Sequence, residues 1–192
     1  MDQVIKQLAP KERILKTVER LFCEQGYLST GINQIIAEAQ VAKASFYQHF
    51  SSKEGLILEY LENYANSLSK LLKQLDKKHP NSGTKIIALF DAMAYSVEQS
   101  NFQGCMFLNM SAEFSDFESR PRKLIAQCKN NLKVYVEQCT LNALPENTEP
   151  RVAQVKATAI YLLLEGALVE SRIHHDLWPF EASKAAAIQL LG

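Results

Sequence analysis

Apolar positions recur along this chain at spacings of three and four residues with few interruptions. That period marks helices that bury one face. Ile14, Leu15, Val18, Leu21 and Phe22 form one stripe, and Lys11, Arg13, Lys16 and Arg20 lie mostly off it. Pro10 suits a first helical position and Gly26 a left-handed stop, so a helix is expected over 10–25. A second helix is expected over 31–39, with Thr30 as its N-cap and Ile32, Ile35 and Ile36 facing inward. A tight break at Gln40-Val41 precedes a short third helix over 43–49. Ser51 and Glu54 have the spacing of a capping box at the head of a long fourth helix, expected to reach residue 77. Along it Leu61, Leu68 and Leu75 keep a heptad, supported by Ile57, Tyr64, Leu71 and Leu72.

The 79–83 stretch, His-Pro-Asn-Ser-Gly, is the clearest loop. Beyond it the pattern predicts helices over 84–100, 104–115, 120–143, 150–174 and 179–191. The breakers between them fall at 101–104, 119–121, 144–147 and 176–179. Alternating strand patterns are scarce, so the fold class is all-α. The expected arrangement is a three-helix head over 1–54 and a helical bundle over 55–192.

Composition narrows the picture. The chain has 192 residues, is 47% hydrophobic and carries 22% charged residues, which fits a packed core and argues against general disorder. The longest apolar run, 157–169, is interrupted by Glu165 and Gly166 and is short for a membrane span. The opening Met1-Asp2-Gln3-Val4 has no basic stretch followed by an apolar one, so no secretory signal is expected and the cytoplasm is the expected location. Cys23, Cys105, Cys128 and Cys139 form no close pair, which argues against a zinc site or a disulfide framework. His174 and His175 are adjacent and would point about 100° apart on a helix, so no metal is expected there.

Charge changes the picture little. The formal net charge is zero, and residues 1–56 carry seven Lys/Arg against six Asp/Glu. DNA affinity, if present, must arise from local placement of charge. The head supplies that placement. Three short helices with a tight turn between the second and third form the unit that sets a helix into a major groove. The third helix offers Lys43, Ser45, Tyr47, Gln48 and His49. Lys can reach guanine O6 and N7, and Gln can pair with adenine N6 and N7. Tyr47, His49 and Lys53 suit phosphate oxygens, as does Thr30 at a helix N-terminus. The pattern alone also fits a generic helical hairpin with a polar surface.

The residues themselves are more specific. Ile35-Ile36-Ala37-x-Ala39, followed by Phe46-Tyr47-x-His49-Phe50-x-Ser52-Lys53-Glu54-x-Leu56, resembles the DNA-binding signature of the TetR family of repressors. Phe22 and Gly26-Tyr27 before Thr30 fit as well, and together these cover about a quarter of the chain. The resemblance implies that Thr30, Tyr47, His49 and Lys53 hold phosphates. It implies that Lys43, Ala44 and Ser45 meet base edges, with Gln48 as a further candidate. The chain departs from the family in the turn, where Gln40 stands for a usual Gly, Ala42 for a frequent Ser, Ala44 for a common Gly and Phe46 for a common Leu. A left-handed Gln40 would be strained by roughly 1–2 kcal/mol, and Ala42 would forgo a cap worth about 1 kcal/mol.

The resemblance also implies a sensor. Family members enclose a ligand in the C-terminal helices, and Met93, Phe102, Met106, Phe107, Met110, Phe114 and Tyr135 are candidate lining residues, or ordinary core. The segment Gly104-Cys105-x-x-x-Asn109-x-x-x-Glu113 is similar to one found in a branch of the family, which adds Cys105 and Asn109 to the candidates. Some members of that branch respond to electrophiles or oxidants through cysteine; others bind metabolites. Cys105 at a helix start would be activated by the dipole, or would simply pack. Cys23, Cys128 and Cys139 fall on apolar stripes and are expected to be inert. The family's last two long helices build a four-helix bundle across a dimer axis, and here 160–169 is apolar nearly all round while Ala182, Ala185, Ala186 and Ala187 offer a close-packing face.

The expected function is therefore a homodimeric repressor, released from a palindromic operator by a small-molecule or electrophilic inducer. No cofactor or metal is expected. The alternative is a helical small-molecule or redox sensor without specific DNA binding. An enzyme is not expected, since no nucleophile and base share a recognisable spacing, and no Gly-rich phosphate loop, H-E-x-x-H or G-x-S-x-G occurs.

Overall fold

A computed structural model describes residues 8–192, and the described residues are helical with no strands. The helices are α1 (Pro10–Gln25), α2 (Ile32–Glu38), α3 (Lys43–His49), α4 (Lys53–Lys78), α5 (Ser82–Gln99), α6 (Met106–Ser111), α7 (Arg120–Ala143), α8 (Pro150–His174) and α9 (Trp178–Leu191). The chain divides into two compact units. The first takes in the chain up to Ala65 together with Phe107–Ala126; the second comprises Asn66–Met106 and Gln127–Gly192.

In the first unit α1 packs on α2 and α3. Of the expected stripe Ile14, Val18, Leu21 and Phe22 are buried, while Leu15 is half-buried and Thr17 is buried in addition; Ile35, Phe46, Phe50, Leu56, Ile57 and Leu61 are core residues of the same unit. Phe22 sets its ring edge-on to Tyr60, with centroids 5.9 Å apart. Pro10 sits in the first turn of α1, and the Glu12 carboxylate accepts the Ala9 N–H at 3.3 Å. At the other end Gly26 has φ 84° and ψ 165°. That is outside the left-handed helical well expected from sequence and lies in a region open essentially to glycine alone.

The turn between α2 and α3 is a Schellman motif. The Gln40 N–H bonds Ala37 O and the Val41 N–H bonds Ile36 O, each at 3.2 Å. Gln40 occupies its left-handed position at φ 52°. Ala42 is the N-cap of α3 and supplies no side-chain bond. Both departures foreseen in the turn are thus present in the backbone. Two caps differ from expectation by one residue. Gly31, not Thr30, caps α2, and no side chain bonds there. Ser52, not Ser51, caps α4, its Oγ accepting the Gly55 N–H at 3.0 Å.

In the second unit α9 packs chiefly on α8 and also on α5, which itself touches α8. Asn81 caps α5 by accepting the Thr84 N–H at 3.1 Å, so that helix begins two residues before the expected start. The Glu149 side chain accepts the Arg151 N–H at 3.3 Å ahead of Pro150 in the first turn of α8. Leu89, Phe90, Leu132, Val136, Ala157, Ile160, Leu164 and Phe180 are buried. Helix α8 is longer than the apolar run read from the sequence. With 25 residues and a mean hydropathy of 1.5 over its most apolar window, it has the length and composition to cross a membrane. Its Glu165, however, is engaged in an ion pair with Lys129 of α7, as expected of a helix packed in a bundle.

Candidate functional site

Helix α3 is fastened by one side chain and exposed around it. Phe46 is fully buried, and its ring lies 5.9 Å from that of Phe50, which is also buried. Lys43, Ala44, Tyr47, Gln48 and His49 are exposed, and Ser45 is half-buried. Positions 43, 44, 47 and 48 share one helical face because they are separated by a turn. Tyr47 is 46% exposed and rests edge-on against Phe46, with centroids 5.3 Å apart, which fixes its ring direction. Lys43, Ala44 and Gln48, three of the candidate base-edge residues, thus share an exposed face with Tyr47, and Ser45 lies beside that face.

Thr30 and Lys53 stand differently. Thr30 is 0% exposed. Its hydroxyl donates to Gly26 O at 2.7 Å and accepts from Gln25 Nε2 at 3.1 Å. The hydroxyl is therefore engaged in tying the α1–α2 loop. Lys53 is half-buried, with its ammonium 4.2 Å from the Tyr27 ring centroid and 3.4 Å from Leu28 O. Burial pushes its pKa below the ordinary lysine value, and the nearby Glu113 carboxylate opposes that shift.

Glu113 belongs to the same unit and acts on the same loop. Its carboxylate accepts the Leu28 N–H at 3.1 Å. It also lies where a Cβ on Gly26 would have to go; the φ of 84° is what calls for glycine, since the carboxylate at the end of a flexible side chain could shift. Tyr27 meets Phe114 at 5.0 Å between centroids, and Tyr64 meets Phe107 edge-on at 4.9 Å.

The candidate ligand residues are shared between the two units. Asn109, Met110 and Phe114 belong to the first unit, and Met93, Phe102, Cys105, Met106 and Tyr135 to the second. Met93, Met106 and Met110 are buried. Phe102 has φ 58° and lies 4.4 Å from the His175 ring. The Tyr135 hydroxyl donates to Asp76 Oδ1 at 3.2 Å, and burial foremost raises its pKa.

Cys105 has neighbours that sequence reasoning missed. It immediately precedes α6, which has only six residues and begins later and ends earlier than expected. So short a helix contributes little dipole, and the charge beside the sulfur comes from elsewhere. Lys129 Nζ donates to Cys105 Sγ at 3.8 Å and pairs with Glu165. Tyr161 adjoins the same carboxylate; burial first, then Glu165, pushes its phenol up to about 12. Glu165 Oε1 is buried. Gly104 before the cysteine has φ 72°, and a Cβ there would stand 3.1 Å from Arg172 Cδ. One signal was available: Glu165 is the single charged residue in the 157–169 run. The remaining thiols differ. Cys128 and Cys139 are buried and burial raises both; Cys23 is half-buried.

Helices α8 and α9 leave an apolar face uncovered. Val152, Val155, Leu162 and Ile173 of α8 are exposed, as are Trp178 and Ile188 of α9. With Ala159, Gly166 and Val169 the α8 residues follow a regular three-four alternation, the spacing of a supercoiled helix seam. An open depression of about 740 Å³ lies on this face, lined by Ala159, Leu162, Leu163, Ala186, Gln189 and Leu190.

A three-helix head with a tight turn ahead of an exposed, Phe-anchored helix, followed by a helical C-terminal bundle, defines a helix-turn-helix regulator of transcription. Residues 14–60 match the bacterial regulatory proteins of the tetR family, and residues 83–187 match the tetracyclin repressor-like C-terminal domain. The chain belongs to the TetR family and is a DNA-binding transcriptional regulator. Among its relatives is the HTH-type transcriptional repressor NemR of Escherichia coli K12, 25% identical over 179 residues, covering 91% of this chain and 90% of NemR. The crystal structure of reduced E. coli NemR superposes with a TM-score of 0.77 at 24% identity, over 95% of this chain and 97% of that one. A TetR-family regulator from Streptomyces coelicolor superposes with a TM-score of 0.86 at 24% identity, over 95% of this chain and 94% of that one.

Proposed function

We propose that the protein is a homodimeric repressor whose two α3 helices read the halves of a palindromic operator. The observation that carries this reading is the single exposed face of α3, presenting Lys43, Ala44, Tyr47 and Gln48 while Phe46 holds the helix down. Residues 1–54 make the DNA contacts; 55–192 sense the inducer and dimerise. Lys43, Ala44, Ser45 and Gln48 meet base edges, and Tyr47 and His49 hold phosphates. Thr30 serves by shaping the loop through its engaged hydroxyl. Lys53 reaches a phosphate only by leaving the Tyr27 ring. The apolar α8–α9 face is the dimer seam, joined as a four-helix bundle. A dimer with heads about one helical turn of DNA apart suits a palindrome.

Release follows from modification at Cys105 or from a small ligand in the C-terminal helices. Either must favour a head arrangement that does not fit DNA, since an inducer shifts the equilibrium only by its differential affinity. Helix α4 begins at Lys53 and carries that change to the head. The test is selection from a random DNA pool by the reduced protein at moderate salt. A palindrome is expected, released by a thiol-reactive electrophile in the wild type and retained in Cys105→Ser. No enriched sequence would refute the operator reading. Release in both proteins would clear Cys105 of the role.

A further inference from the structure

The second unit gathers a thiol, an ammonium, a carboxylate and a phenol in one place. Cys105 is 6% exposed, its sulfur takes the Lys129 ammonium at 3.8 Å, and Lys129 is tied to Glu165 with Tyr161 alongside. Lys129 is on α7 and Glu165 and Tyr161 are on α8, so two helices converge on a residue contributed by a third segment. A half-buried ion pair contributes uncertain net stability, because desolvation offsets its Coulomb attraction. Here one end of the pair is also hydrogen-bonded to a nucleophile. The second carboxylate oxygen of Glu165 is buried on the side of the Tyr161 phenol.

We propose that Lys129 is the proton donor when Cys105 adds conjugately to a small α,β-unsaturated carbonyl compound. The inference rests on the reading of Cys105 as the sensor and adds the residue that selects the chemistry. The thiol first gives its proton to solvent. The thiolate then attacks the β-carbon, so an S–C bond forms and the C=C π pair moves toward the carbonyl oxygen to give an enolate. The Lys129 ammonium gives its proton to that enolate as it develops, in the same rate-setting transition state, and becomes an amine, which solvent reprotonates. The sum is one thiol plus one enone giving one thioether, with no oxidant required. The geometry favours this class because addition needs a proton delivered within reach of the sulfur's new neighbour. Displacement of a halide needs none. The burial of Cys105 restricts the reagent to small molecules.

That difference supplies the test. Acrylamide adds conjugately, whereas iodoacetamide alkylates by losing iodide and consumes no proton. Rate constants for both at Cys105 would be followed by peptide mass mapping in the full-length wild type, Lys129→Arg and Lys129→Met, with Cys105→Ser as the blank. Arginine keeps the charge beside the sulfur but does not give up a proton. In Lys129→Arg the ratio of the acrylamide to the iodoacetamide rate constant is expected to fall at least about tenfold, the low side of a general-acid contribution. The same fall is expected in Lys129→Met, where any loss of thiolate lowers both rates together and cancels in the ratio. An unchanged ratio in both variants would overturn the proposal while leaving Cys105 as sensor. A wild-type Cys105 inert to both reagents would overturn the sensor reading with it.

Discussion

Replacing Gln40 by glycine isolates the strain in the recognition turn. Gln40 is exposed, sits at φ 52°, and closes the Schellman motif between α2 and α3 through backbone bonds that glycine would keep. A residue with a Cβ in this region is strained by roughly 1–2 kcal/mol. Glycine removes that strain but brings a more flexible unfolded chain, which returns about 0.4–1 kcal/mol. The net expectation is a stabilisation of about 0.5–1 kcal/mol. For a chain of this size that corresponds to a rise of roughly 1–4 °C in Tm. The measurement is urea unfolding at one fixed protein concentration, because dimerisation makes apparent stability depend on concentration. The midpoint should rise with no change in slope, the signature of stability rather than altered exposure. Gln40→Ala is the control: it trims the side chain, keeps the Cβ, and should gain nothing. A glycine variant no more stable than wild type, or an alanine variant equally stabilised, would show that the strain argument is wrong.

Other consequences can be measured alongside. Ala42→Ser should place an acceptor at the uncapped start of α3 and add about 1 kcal/mol to unfolding stability, read from the same urea curves. Lys43→Ala should relax operator preference at one base position and cost about 1–3 kcal/mol there; a uniform loss across all sequences would make Lys43 a phosphate contact instead. Alkaline pH should destabilise the fold. Burial raises Tyr161 to about 12 and lifts Tyr60, Tyr135, Cys128 and Cys139 in the same direction. Such groups ionise first in the unfolded chain, which then holds fewer protons, so stability falls as pH rises. The decline should begin near pH 9 with the thiols and steepen above about 10 with the phenols. Tyr161→Phe should flatten the upper part, checked by urea midpoints between pH 8 and 11.

Local signals were legible in the sequence and distant pairings were not. The limits of α1, α7 and α8 follow from prolines, caps and breakers that act within a few residues, and all three helices begin and end where the pattern puts them. Helix α6 does not, because the 3.6-residue period runs on through Gly104, which the backbone holds at positive φ outside the helix. The exposed face of α3 was readable from one buried Phe and its polar neighbours. Thr30 was misplaced as a cap because its hydroxyl finds a nearer partner in the Gly26 carbonyl. Lys129 and Glu165 are separated by 36 residues. Nothing in either helix's own periodicity says which turn of α7 will face which turn of α8, so the cluster around Cys105 awaited the folded register.

The carboxylate of Glu113 has a bearing on engineering. It holds the Leu28 N–H and fills the space beside Gly26, yet it is contributed by a segment far along the chain from the helices it supports. A chimera that grafts residues 1–54 onto another regulator's C-terminal half would leave that N–H without its acceptor and a hollow beside Gly26. Exchanging operator specificity within the family should therefore succeed more often when residues 107–126 travel with the head. The transferable part is a folding unit drawn from two stretches of sequence.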